Sequence, residues 1–112
     1  MEDVTEYGPS IEDGDPLVVA VGRLGAAADV VRRPGQLAAR LPSGRTGGHV
    51  ALLRSRFDGD YGNICRMRRV MPDGTGVMTF APTSEVLAAL GSGSPADSLE
   101  DLFDKWMTKG KE

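Results

Sequence analysis

The chain has 112 residues, 40% of them hydrophobic and 26% charged, with a formal net charge of −3. That length holds one ordinary domain, and that balance of apolar and charged residues excludes wholesale disorder. No apolar run is long enough to span a bilayer, the longest being Leu17 to Val21.

Residues 1–15 are rich in acid and lack apolar periodicity, which reads as an acidic flexible tail ahead of one domain over 16–112. Pro16 introduces Leu17-Val18-Val19-Ala20-Val21, a β-branched run that reads as a buried strand. Ala26 to Arg33 fits helix or strand, and Pro34-Gly35 ends it with a turn. Gln36 to Leu41 is a strand candidate, followed by a Gly-rich loop. His49 to Phe57 and Ile64 to Met71 flank the turn-rich Asp58–Asn63 and predict a hairpin. Pro72 to Gly76 then turns the chain into Val77–Phe80, the third strand of a meander.

Beyond Pro82 the period changes. Glu85 to Leu90 predicts a short helix capped by Thr83 or Ser84 and stopped by Gly91. Ser94-Pro95 opens a second helix, 95–109, with Leu99, Leu102, Phe103, Trp106 and Met107 on one stripe. Its acids lie early and its lysines late, as the helix dipole favours. The expected fold class is α+β: a small antiparallel sheet or open barrel of four to five strands, with a short helix and a C-terminal amphipathic helix.

Charge is distributed in blocks. Residues 1–21 carry six acids and no base, residues 22–72 carry ten arginines against three acids, and residues 73–112 carry seven acids against three lysines. Such asymmetry points to binding or to neutralisation within the fold. The acidic Met1-Glu2-Asp3 start does not read as a secretory signal. With Cys65 as the only cysteine, an internal disulfide and a multi-cysteine metal site are excluded, and a cytoplasmic setting is expected.

No motif completes a catalytic or metal site, and no cofactor is expected. Ser43-Gly44-Arg45-Thr46 is close to the end of a phosphate-binding loop, but Arg45 replaces its lysine and Ala39 its first glycine. Asp58 to Asn63 begins like a calcium loop, yet Asn63 stands for the glycine and Arg69 for the closing glutamate. Cys65 needs a base to act as a nucleophile, and His49, the only histidine, is the one candidate. Val18 to Gly25 resembles the first strand of single-strand-binding OB-folds, over those residues alone and without the later aromatic pattern.

The arginine hairpin is the strongest binding candidate. With Asp60 central in its loop, Arg54 faces Arg66 and Leu52 faces Arg68. Alternation then puts Arg54, Arg56, Arg66 and Arg68 on one face near Tyr61, with Ala51, Leu53, Cys65, Met67 and Met71 on the other. Clustered arginines call for a counter-charge: the acidic tail, the acidic helix, phosphate or a partner. The function expected is a non-enzymatic protein-interaction or regulatory module, with self-association or a protein partner met by this hairpin or by the terminal helix. Nucleic-acid binding by the same arginine face is the alternative.

Overall fold

A computed structural model describes residues 15–55 and 63–110. The acidic residues 1–14, together with Arg56 and Tyr61, lie outside them. Five antiparallel strands form one sheet in chain order: β1 (Asp29–Arg33), β2 (Gln36–Pro42), β3 (His49–Ser55), β4 (Ile64–Val70) and β5 (Gly76–Pro82). Three helices accompany them: α1 (Pro16–Gly22), α2 (Thr83–Leu90) and α3 (Pro95–Gly110). The α+β expectation, with its meander and closing helix, describes this fold; the sheet is open at both edges.

The first apolar run is a helix, not a strand, so the likeness to an OB-fold strand does not extend to structure. Asp15 is its N-cap, accepting from the Leu17 N–H at 2.9 Å, and Pro16 occupies the first turn. Leu17 and Val21, one turn apart, are buried while Val19 is exposed. Burying that stripe outweighs the β preference of its valines. The ambiguous stretch before Pro34 resolves into β1 after a short 3-10 turn at Gly25–Ala27. Gly35 takes the positive φ (74°) of the predicted turn.

α2 begins earlier than expected. Pro82 is its N-cap, and neither Thr83 nor Ser84 supplies a side-chain cap. In α3 the Ser94 carbonyl accepts the Ser98 N–H at 2.9 Å, so the helix starts where the Ser-Pro signal places it.

All three helices lie on one side of the sheet. Leu17 and Val21, Val86 and Leu90, and Leu99 and Phe103 meet Leu37, Leu41, Val50, Leu52, Cys65 and Met67 there. Each such side chain contributes about 1.5–3 kcal/mol by leaving water. The α3 stripe is spent on this core: Leu99, Leu102 and Phe103 are buried, with Trp106 and Met107 packed beside them.

α3 is also clamped electrostatically. Arg69 Nε donates to Glu100 Oε1 at 2.6 Å and Nη2 to Asp104 Oδ1 at 2.9 Å, while its guanidinium lies 4.5 Å from the Phe103 ring centroid. Arg45 pairs with Asp101 at 2.9 Å. Burial works against the charge on Arg69, yet the hydrogen bonds to Glu100 and Asp104 outweigh it and raise its pKa. The hydrogen bond to Asp101 raises that of Arg45. No helix among the described residues is long and apolar enough to cross a membrane.

Candidate binding face

The second face of the sheet carries no helix. Cross-strand register places Asp29, Arg40, Ala51, Arg68 and Met78 in one row across it, and Val31, Ala38, Leu53, Arg66 and Phe80 in the next. The rows enclose a shallow trough of about 530 Å³ that reaches from β1 to β5, lined by Val31, Ala38, Leu53, Arg66, Arg68 and Met78 among others. Met78 is 48% exposed in it, and Phe80, also on β5, is 47% exposed.

The register corrects the expected arginine cluster. Arg66 faces Leu53, not Arg54, and Arg68 faces Ala51, not Leu52. The two strands are offset by one residue from the symmetric hairpin, and in a sheet one residue exchanges the faces. Arg54 therefore points into the covered side, where it is buried and pairs with Asp15 at 2.8 Å. Leu53 and Ala51 join Arg66 and Arg68 on the open side, while Cys65 and Met67 turn into the core.

Arg40, outside the expected arginine cluster, stands on the open face through the β2 register. Its signal was present in the sequence as the alternation Ala38-Arg40-Pro42 opposite Leu37-Ala39-Leu41.

The charges on this face are unevenly matched. Arg40 Nη2 lies 3.2 Å from Asp29 Oδ2, both well exposed. The Arg66 guanidinium stands 5.8 Å from the Phe80 ring centroid. Arg68 has no ion pair among the described residues, and its guanidinium lies across Gly76. Glu100, Asp101 and Asp104 of α3 are engaged by Arg45 and Arg69 on the other side of the sheet. Of the acidic leader, Asp15 neutralises Arg54. Among the described residues neither block supplies Arg68 with a carboxylate.

His49 and Cys65 do not meet. His49 belongs to the open face, half-buried opposite Val70, whereas Cys65 is fully buried on the covered face with Sγ 3.6 Å from Thr83 Oγ1. Among the described residues no three of His, Cys, Asp and Glu are grouped to hold a metal ion. No family model matches the chain, and no curated protein or solved structure is similar to it.

Proposed function

We propose that the chain is a non-enzymatic protein-interaction module whose open sheet face receives an acidic segment of a partner protein that also carries apolar side chains. The observation that carries this reading is Arg68, without a carboxylate among the described residues, in one row with exposed Met78 and beside exposed Phe80. Isolated exposed apolar residues are ordinary, but exposed Val31 on β1, half-buried Leu53 on β3 and exposed Met78 and Phe80 on β5 share one helix-free face. A ligand combining carboxylates with aliphatic groups matches both components.

The terminal helix is less suited to the task, because its apolar stripe is already packed on its own core. Nucleic acid is also a poorer match. Base stacking calls for several aromatic platforms, and Phe80 is the only aromatic in the two rows. The use of a single cysteine, Cys65, which is buried, suits a cytoplasmic setting.

Selection from a displayed library of acidic and apolar peptides tests the reading, with affinity followed by fluorescence polarisation against oligothymidine and single-stranded RNA. Peptides combining Glu or Asp with Leu or Phe are expected to bind, and Arg66→Glu with Arg68→Glu to weaken them at least tenfold. Met78→Ala with Phe80→Ala should weaken binding even in high salt, where charge is screened. Failure to enrich any such peptide, or tighter binding of the oligonucleotides, would overturn it.

A further inference from the structure

β1 is an edge strand of the sheet. Among the described residues only β2 flanks it, so one row of its backbone N–H and C=O groups has no ladder partner there. All five of its residues are exposed, including Val30 (42%) and Val31 (49%). Natural edges are commonly blunted by a bulge, a proline, charged side chains or a covering loop. β1 runs Asp29-Val30-Val31-Arg32-Arg33 in unbroken register with β2 and has neither bulge nor proline; it does carry charges, so what matters is whether their order repels or suits a second copy.

Its charge order is self-complementary in the antiparallel sense. Let a second copy approach about a two-fold axis at Val31. Val31 then meets Val31, Val30 meets Arg32, and Asp29 meets Arg33 twice, once on each side of the axis. Asp29, Val31 and Arg33 share the open face, so the two acid–arginine contacts and the valine pair fall on one surface.

The competing arrangements are worse. Parallel pairing sets Asp29 on Asp29 and Arg33 on Arg33. Shifting the antiparallel register by two residues either sets Arg32 on Arg32 or leaves Arg33 unopposed. A shift of one residue turns the second copy's open face over.

Both charges are available for the contact. Arg33 has no ion pair among the described residues, and Asp29 engages Arg40 through Oδ2 alone.

From this we infer that two copies of the chain associate through β1, antiparallel and in the Asp29–Arg33 register, to form one continuous ten-stranded sheet with both open faces on the same side. The contact is isologous, as closed two-fold assemblies require.

Sedimentation velocity of the full chain from low micromolar to millimolar concentration tests the inference, with circular dichroism confirming that every variant is folded. The native chain should show a concentration-dependent monomer–dimer equilibrium. Asp29→Arg alone sets arginine against arginine, Arg33→Asp alone sets acid against acid, and each should weaken the dimer at least tenfold. The two single variants mixed in equal amounts should regain it as a heterodimer, because their reversed charges are then opposite one another. The double variant Asp29→Arg with Arg33→Asp should regain it as a homodimer. A native chain that stays monomeric throughout, a dimer indifferent to both reversals (as pairing through β5 would give), or single variants that remain monomeric when mixed would each overturn the inference. None of these outcomes depends on peptide binding at the open face.

Discussion

Arg54 and Asp15 neutralise each other on the covered side of the sheet, Nη1 to Oδ1 at 2.8 Å, with side chains only 7% and 13% exposed. The same carboxylate oxygen caps α1 through the Leu17 N–H. One acid thus starts the first helix and ties it to the end of β3. Removing one partner from a buried pair costs about 3–5 kcal/mol, so Arg54→Ala should lower the unfolding free energy by that amount. Asp15→Asn keeps a capping acceptor and should be milder than Asp15→Ala, which loses about 1 kcal/mol more with the cap. Urea unfolding of the three variants checks the order.

The Arg69 clamp makes a sharper distinction between its two ends. Glu100 is fully buried, and its Oε2 has no hydrogen-bond partner among the described residues. Arg69→Ala leaves that carboxylate buried and uncompensated and should cost about 3–5 kcal/mol. Glu100→Gln removes the buried negative charge while keeping an oxygen for Arg69, so it should cost less. Native-state hydrogen exchange should show α3 losing protection first in Arg69→Ala, because Glu100, Phe103 and Asp104 all lie on that helix.

What could be read from the sequence followed from how one-sided each local signal was. α3 was legible because Ser94-Pro95 and the spacing of Leu99, Leu102, Phe103, Trp106 and Met107 agree. α1 was missed because five residues are too few for a helical period to show, and the Asp15-Pro16 start signal was outweighed by two adjacent valines. The hairpin existed on paper, but its faces did not. Both phases of β3 are largely apolar, Val50 and Leu52 in one and Ala51 and Leu53 in the other. Alternation therefore could not choose a register, and the symmetric guess put Arg54 on the wrong side. What decides is the tertiary partner Asp15, thirty-nine residues away.

Two glycines that look alike in sequence should respond differently to alanine. A Cβ at Gly48 would sit 1.9 Å from the Val70 carbonyl oxygen, which belongs to the backbone and cannot move aside without shifting β4. At Gly76 the obstacle is the Arg68 guanidinium, 2.7 Å away, the far end of an exposed side chain that can be displaced without moving backbone. Gly48→Ala should cost about 1–3 kcal/mol by overpacking, and Gly76→Ala should cost markedly less. Thermal unfolding separates them. Gly76→Ala should also move Arg68 and so reduce affinity for an acidic peptide.

Asp73 supplies a pH dependence with a definite sign. Its Oδ1 accepts from the Thr75 N–H at 2.9 Å and from the Thr75 hydroxyl at 2.7 Å, and the backbone bond, followed by the hydroxyl, lowers its pKa. A carboxyl depressed in the folded state adds stability that is present above its unfolded pKa and lost as pH falls through the folded value. The loss should therefore come on the acidic side of the ordinary aspartate range, and it should be small because the group is fully exposed. Carboxyl ¹³C titration should place the Asp73 midpoint below the usual value. Thr75→Val keeps the backbone donor but not the hydroxyl and should bring the midpoint part of the way back.

Phe103 and Phe80 stand on opposite sides of the same sheet and should separate stability from binding. Phe103 is 1% exposed within the α3 contact, so Phe103→Ala should cost about 3–5 kcal/mol. Phe80 is 47% exposed and touches the Arg66 guanidinium, so Phe80→Ala should cost only the cation–π contact, about 0.5–1 kcal/mol. If the open face is kept for docking, peptide affinity should fall severalfold in Phe80→Ala while its urea midpoint hardly moves. A Phe80→Ala variant as unstable as Phe103→Ala would mean that the open face is part of the chain's own core, and the docking role would go with it.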